Sequence, residues 1–173
     1  VADSLRLAVL KQLTTYLAAE INTGNGYSHN LTRDGKAHVW RGRGFTGPAL
    51  KLPALSILEG INPDREPDTV GNRHDMQKDS WILLVQGWVD DDNENPTDPA
   101  HALMADVKMA ISKFASNMTT LGFEGTPWGE VSQIVIEPGV VRPPDQISDK
   151  AYFWMRIVLQ IIEPTDDPFW RTE

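Results

Sequence analysis

The chain of 173 residues contains no cysteine. That single absence excludes disulfides, thiolate zinc sites, thiol nucleophiles and redox switches together. A chain of this size does not depend on such staples, because one core can bury roughly 70% of its unfolded surface. Long apolar runs are missing too. No stretch approaches the roughly 18 residues of a membrane span, and no signal-peptide pattern precedes the first helical segment, so no membrane partner is expected. Positive charge is scarce: 16 Lys and Arg stand against 24 Asp and Glu, for a net charge of −8. Tight sequence-independent nucleic-acid binding relies on cations that release counterions from phosphates, and this balance argues against it. Histidine is sparse as well. His29, His38, His74 and His101 lie at no zinc spacing, and H-E-x-x-H does not occur. His74-Asp75 has no Gly-x-Ser-x-Gly elbow beside it to present a nucleophilic serine, so no triad is expected.

The charge that is present is unevenly placed. Residues 1–58 carry seven Lys or Arg against three Asp or Glu, whereas residues 59–173 carry nine against twenty-one. A basic first third joined to an acidic remainder suits head-to-tail contact between copies of the chain.

Apolar periodicity gives the elements. Leu5, Val9, Leu13, Leu17 and Ile21 recur at helical spacing, predicting an amphipathic helix over 3–22, capped by Asp3 or Ser4 and stopped by Thr23-Gly24-Asn25-Gly26. A hairpin is predicted over Tyr27–Trp40 with Asp34-Gly35 as a type I′ turn, then a Gly/Pro-rich loop over Arg41–Pro53 and a short strand at Ala54–Glu59. Residues 60–78 are polar and aperiodic, which predicts a long loop of the sort that moves or binds. A strand over 80–90 runs into the acidic turn Asp90-Asp91-Asp92-Asn93-Glu94. A second helix is predicted from Pro99 to about Ser116, with Asp98 as N-cap and a stripe of Ala100, Leu103, Met104, Val107, Ile111 and Phe114. Strands at Val131–Glu137 and Tyr152–Glu163 complete the pattern.

The last strand has a uniformly apolar odd face, Phe153 to Ile161, and a mixed even face that includes Trp154 and Arg156. Tryptophan and tyrosine beside arginine and glutamine suit a subunit interface, or else a sheet face partly covered by the second helix. These elements predict one α+β domain over 1–173: a mainly antiparallel sheet against two helices, with an extended C-terminal tail at 164–173.

Two motifs are tested against chemistry and fall short. Gly42-Arg43-Gly44-Phe45-Thr46-Gly47 matches G-x-G-x-x-G, but Pro48 follows where a helix would have to open toward the phosphates. It reads instead as a basic loop in which Arg41, Arg43 and Lys51 meet an acidic partner. Asp90-x-Asp92-x-Glu94 has the opening of a calcium loop, yet Asn95-Pro96 stands where the sharp turn requires glycine, and the closing glutamate is missing. No metal and no cofactor are expected. In the tail, Phe169 and Trp170 are two adjacent aromatics that water disfavours, so they are expected to dock on the parent chain or on a neighbour.

The strand–acidic turn–helix unit of residues 79–114 resembles that of the tail terminator, or tail completion, proteins of long-tailed bacteriophages. Three further segments lie in the same order: Ile21-Asn22-Thr23-Gly24-Asn25-Gly26-Tyr27, Leu52-Pro53-Ala54-Leu55-Ser56-Ile57-Leu58-Glu59-Gly60, and the final long strand. None is a catalytic signature, and residues 60–78 and 138–150 have no counterpart. The resemblance implies a structural virion protein without enzymatic activity, assembled in the host cytoplasm. It implies a ring, typically of six subunits, that caps the finished tail tube and forms the joining surface to the head–tail connector. DNA passes through such a ring without specific contact. Its interface candidates here are Arg41 and Arg43 facing Asp90, Asp91 and Asp92 of the next copy, together with Lys51, Trp154, Arg156, Phe169 and Trp170. A head-completion stopper or other neck protein shares this size and lack of chemistry. A small enzyme using the acidic loop is the reading of a different class, and it predicts a pocket there with shifted carboxylates.

Overall fold

The computed structural model describes residues 2–44, 51–60, 68–69, 76–118 and 129–169. Helix α1 (Leu5–Glu20) starts where the Ser4 hydroxyl accepts the Leu7 N–H at 3.3 Å, so Ser4 rather than Asp3 is its cap. Leu5, Val9, Leu13 and Leu17 are buried along one stripe, as their spacing predicts. A short 3₁₀ turn (Thr23–Asn25) then reverses the chain at Gly26, whose φ of 88° only glycine adopts without strain. Strands β1 (Thr32–Arg33) and β2 (Lys36–Ala37) form the expected hairpin, with Asp34 and Gly35 both left-handed.

The hairpin is shorter than the sequence pattern predicts. Its last two residues, Val39 and Trp40, leave it with Arg41 as β3 (Val39–Arg41) and run parallel to β4 (Ala54–Glu59), because the His38 carbonyl accepts the Leu55 N–H and draws the segment onto the main sheet. Strand β5 (Asp68–Thr69) and strand β6 (Met76–Val89) show that pairing begins inside the segment predicted to be loop; the rest of 60–78 lies largely outside the described residues. Helix α2 (Asp98–Ser116) begins one residue early. Thr97 is the cap position, with no side-chain capping bond, and Asp98 is the acidic residue of the first turn. Strands β7 (Glu130–Ile136), β8 (Val140–Arg142) and β9 (Ala151–Pro164) complete the chain.

The sheet runs β3-β4-β6-β9-β7, with β5 beside β6 and β8 beside β9 on the same flanks as β4 and β7. Its spine is the antiparallel pair β6 and β9, in register over fourteen residues from Met76↔Pro164 to Val89↔Ala151. Among the described residues only β3 with β4 is parallel, so the fold is α+β with a mainly antiparallel sheet. Strand alternation divides the side chains between two faces. Trp81, Leu83 and Val85 of β6 and Phe153, Met155, Ile157, Leu159 and Ile161 of β9 face α1 and α2, and all are buried in one core. Gly87 sits in that layer with Phe153 above it. A Cβ there would lie 2.2 Å from the Phe153 ring, so the glycine makes room for the aromatic.

Two polar clusters lock the helices to this layer. The Arg6 guanidinium bonds Asp79 at 2.7 Å and Glu163 at 2.6 Å and lies over the Trp81 ring, tying α1 to the paired ends of β6 and β9. Burial works against its charge, but the hydrogen bonds it donates to both carboxylates prevail and the Arg6 pKa is raised. On α2, buried Asp106 accepts the N–H groups of Ser28 and His29 at 3.0 and 3.1 Å and the His29 Nδ1 at 2.7 Å. That carboxylate closes the turn after α1 against the second helix.

Candidate functional site

The even positions of β6 and β9 form the sheet face opposite the helices. Among the described residues no helix packs on it, and α2 lies on the other side, which removes the second helix as its cover. Trp88 and Tyr152, directly opposed across β6 and β9, are nevertheless 5% exposed each. Toward the β7–β8 flank the face opens. Val135 pairs with Val158 and Val140 with Trp154, and the two valines are 40% and 44% exposed. Ile147, in the connection to β9, is 64% exposed. Arg156, between these apolar pairs, is held by Glu137 at 3.1 Å. Trp154 is half-buried beside the Tyr152 ring. Two predicted interface residues, Trp154 and Arg156, thus share one apolar corner with residues that alternation in β9 alone did not single out.

The acidic turn lies at the same end. Asp90 leaves β6 where β9 begins and is bonded by Lys150 at 2.8 Å, which gathers the turn and the 145–150 connection into one acidic end. Asp92 folds the turn by accepting the N–H groups of Glu94 at 2.9 Å and Asn95 at 2.8 Å, and those bonds hold its pKa below the ordinary carboxylate value. Asp91, Asn93 and Glu94 are exposed. In the adjoining connection Asp145 accepts the Ile147 and Ser148 N–H groups and the Tyr152 hydroxyl. Its pKa is lowered, chiefly by the Ile147 bond. These shifted carboxylates therefore do structural work in turns. Neither of the two described clefts is lined by the acidic turn, and among the described residues no three His, Asp or Glu side chains gather as a metal-holding group.

The opposite flank of the sheet is basic. A cleft of about 390 Å³ lies between the β1–β2 hairpin and β3. Lys36, Arg43 and Lys51 line it with Arg33, His38 and Trp40, and the one carboxylate among its lining residues is Asp34. Arg33 spends its guanidinium on the carbonyls of Asn30, Lys51 and Pro53 and makes no ion pair among the described residues. Arg43 stacks over Trp40 with 4.8 Å to the ring centre, and Lys51 reaches Asp34 at 3.4 Å across an exposed edge. His38 is 7% exposed, and its Nδ1 is buried without a partner. Burial first, then Arg33 and Lys51, push its pKa below the ordinary value.

Two of the three predicted basic residues, Arg43 and Lys51, line this cleft. Arg41 does not. On β3 it points to the helix side, where it donates to the Thr14 hydroxyl of α1 at 2.6 Å. Lys36 and His38, which sequence reasoning passed over, take its place; the signal was the period-two spacing Lys36, His38, Trp40 in a chain short of cations. The tail docks on its own chain, since Leu5 donates its N–H to the Pro168 carbonyl at 3.1 Å and Ser4 bridges Phe169. Phe169 is still 45% exposed, and Trp170 lies outside the described residues.

No known family model matches this chain, and no curated protein shows significant similarity to it. Among the described residues no helix is long and apolar enough to cross a membrane.

Proposed function

We propose that this chain is a structural subunit of a bacteriophage tail terminator, a ring that caps the finished tail tube and presents its other side to the head connector. The observation that carries the reading is the unlikeness of the two flanks of one sheet. The β7–β9 flank is apolar with an acidic end, and the β3 flank is a basic cleft. A patch that meets its own copy gives a twofold dimer, whereas two different patches that meet give head-to-tail contact and, when the rotation closes, a ring. The segments on which the resemblance rests form β6, the acidic turn, α2 and β9 in that order. Tube, connector and a sixfold ring come from the resemblance alone, and neither cofactor nor catalytic residue enters the proposal.

The apolar flank provides the test. Val135 and Val140 are outward on the sheet, so Val135→Asp and Val140→Asp bury no charge inside the subunit. The reading predicts that either change lowers the associated mass seen by light scattering while the circular dichroism stays that of wild type. Met109→Asp, on the helix side where Met109 is 40% exposed, serves as the control and keeps the mass. Wild-type association in both valine variants would refute this flank as a contact.

A further inference from the structure

We propose that the basic cleft beside β3 is the receptor for the acidic turn Asp90–Glu94 of a second copy of this chain. The inference rests on the assembly reading above and names the partner of one of its two surfaces.

Three observations carry it. The first is uncompensated charge in a concave place. Lys36, Arg43 and Lys51 converge on the cleft with Arg33 behind them, and Lys36 and Arg43 have no ion pair among the described residues. A carboxylate entering such a site gains from several cations at once.

The second is His38. Its ring lines the cleft, yet Nδ1 is sealed without a partner. A proton on Nδ1 would find no acceptor, so the neutral ring carries its proton at Nε2. A carboxylate in the cleft supplies an acceptor to that edge. Burial is the first cause of the ring's lowered pKa, and Arg33 and Lys51 add to it, so part of the shift reflects a positive potential that an anion would relieve.

The third is placement. The acidic turn follows β6 and the cleft lies beyond β4 at β3, and no residue of the turn is among those lining the cleft, so the turn of the same chain does not fill it. Asp90 is already held by Lys150, which fixes the base of the turn and leaves Asp91 and Glu94 outermost. The net charge of −8 works against a nucleic acid as the occupant, since a polyanion would approach through the field of the acidic majority. A second copy brings its carboxylates on a structured turn, with part of the ordering cost already met by the Asp92 bonds.

The test is a charge swap in the full chain. Lys36→Glu with Lys51→Glu makes the cleft variant, and Asp91→Lys with Glu94→Lys makes the turn variant. All four positions are exposed, so folding is undisturbed and circular dichroism verifies it. Each variant alone is expected to associate at least about tenfold more weakly than wild type at low salt, through like charges placed opposite each other. Mixed in equal amounts, the two should regain associated mass by pairing reversed cleft with reversed turn. A mixture as dispersed as its components, or variants that associate like wild type, would overturn the cleft–turn contact while wild-type association left the assembly reading standing. A wild-type chain that stays monomeric together with a monomeric mixture would overturn both. Inorganic phosphate, titrated at constant ionic strength, separates the sources of anion: competition with association supports a shared site, and phosphate binding without any recovery in the mixture assigns the cleft to a free anion instead.

Discussion

At the scale of single residues, the molecule places its few unusual charges where a carboxylate or a cation must do a structural task. Asp79 is 5% exposed and accepts a bond from Arg6, which also bonds Glu163. Arg6→Met takes the cation away from both carboxylates, which should lower unfolding free energy by about 3 kcal/mol in a denaturant titration. Arg6→Lys keeps a charge but loses the fork, and should fall between the two. His38 gives a pH signature. Its folded pKa lies below the ordinary 6.5, so the unfolded chain takes up that proton more readily. The stability contributed by the neutral ring is full above about pH 6.5 and is lost as pH falls through the lower folded value. Comparing midpoints at about pH 7.5 and about pH 5, His38→Gln should show a smaller loss than wild type. An equal loss would mean that His38 is not the group responsible. Neither role was legible in the sequence. Arg6 meets residues 73 and 157 positions away, and such pairings follow from the register of β6 with β9, which no local pattern specifies.

At the scale of elements, legibility follows how local the determining interaction is. The stripe of α1, its Ser4 cap and the Asp34-Gly35 turn depend on neighbours within a few residues, and each is where the sequence puts it. The alternation of β9 also reads directly, because one face is buried along the whole strand. Strand β3 was not legible: its three residues carry no turn signal toward β4, and the parallel pairing is imposed by a bond from Leu55 to His38. Strand β8 is short and lies at a sheet edge, where alternation over three residues decides nothing. The link between the turn after α1 and α2 is likewise tertiary. Asp106, 6% exposed, sits on the predicted helix but off its apolar stripe, where a solvent role is the ordinary expectation. Asp106→Ala should strand the Ser28 and His29 N–H groups, costing about 2 kcal/mol and loosening residues 27–31 in hydrogen exchange. Unchanged protection of those amides would show that the carboxylate does not hold the loop.

At the scale of the whole molecule, the basic first third and acidic remainder of the sequence become a geometric separation. The cations of residues 33–51 gather at the β3 flank, and the carboxylates that follow β6 gather at the end shared with β9. The sequence foretold the imbalance, and Arg43, Lys51 and Asp90–Asp92 were read from it as contact residues. The apolar corner of Val135, Val140 and Ile147 was missed because it is assembled from a strand edge, a three-residue strand and a connection. The proposed contact joins these unlike surfaces head to tail between copies.

The most direct measurement is negative-stain imaging of the wild-type chain, with mass from light scattering across the same size-exclusion peak at low and moderate salt. Closed rings with a central hole, of one subunit number and weaker as salt rises, are the predicted result. Monomers or twofold dimers at every concentration and both salts would contradict the account.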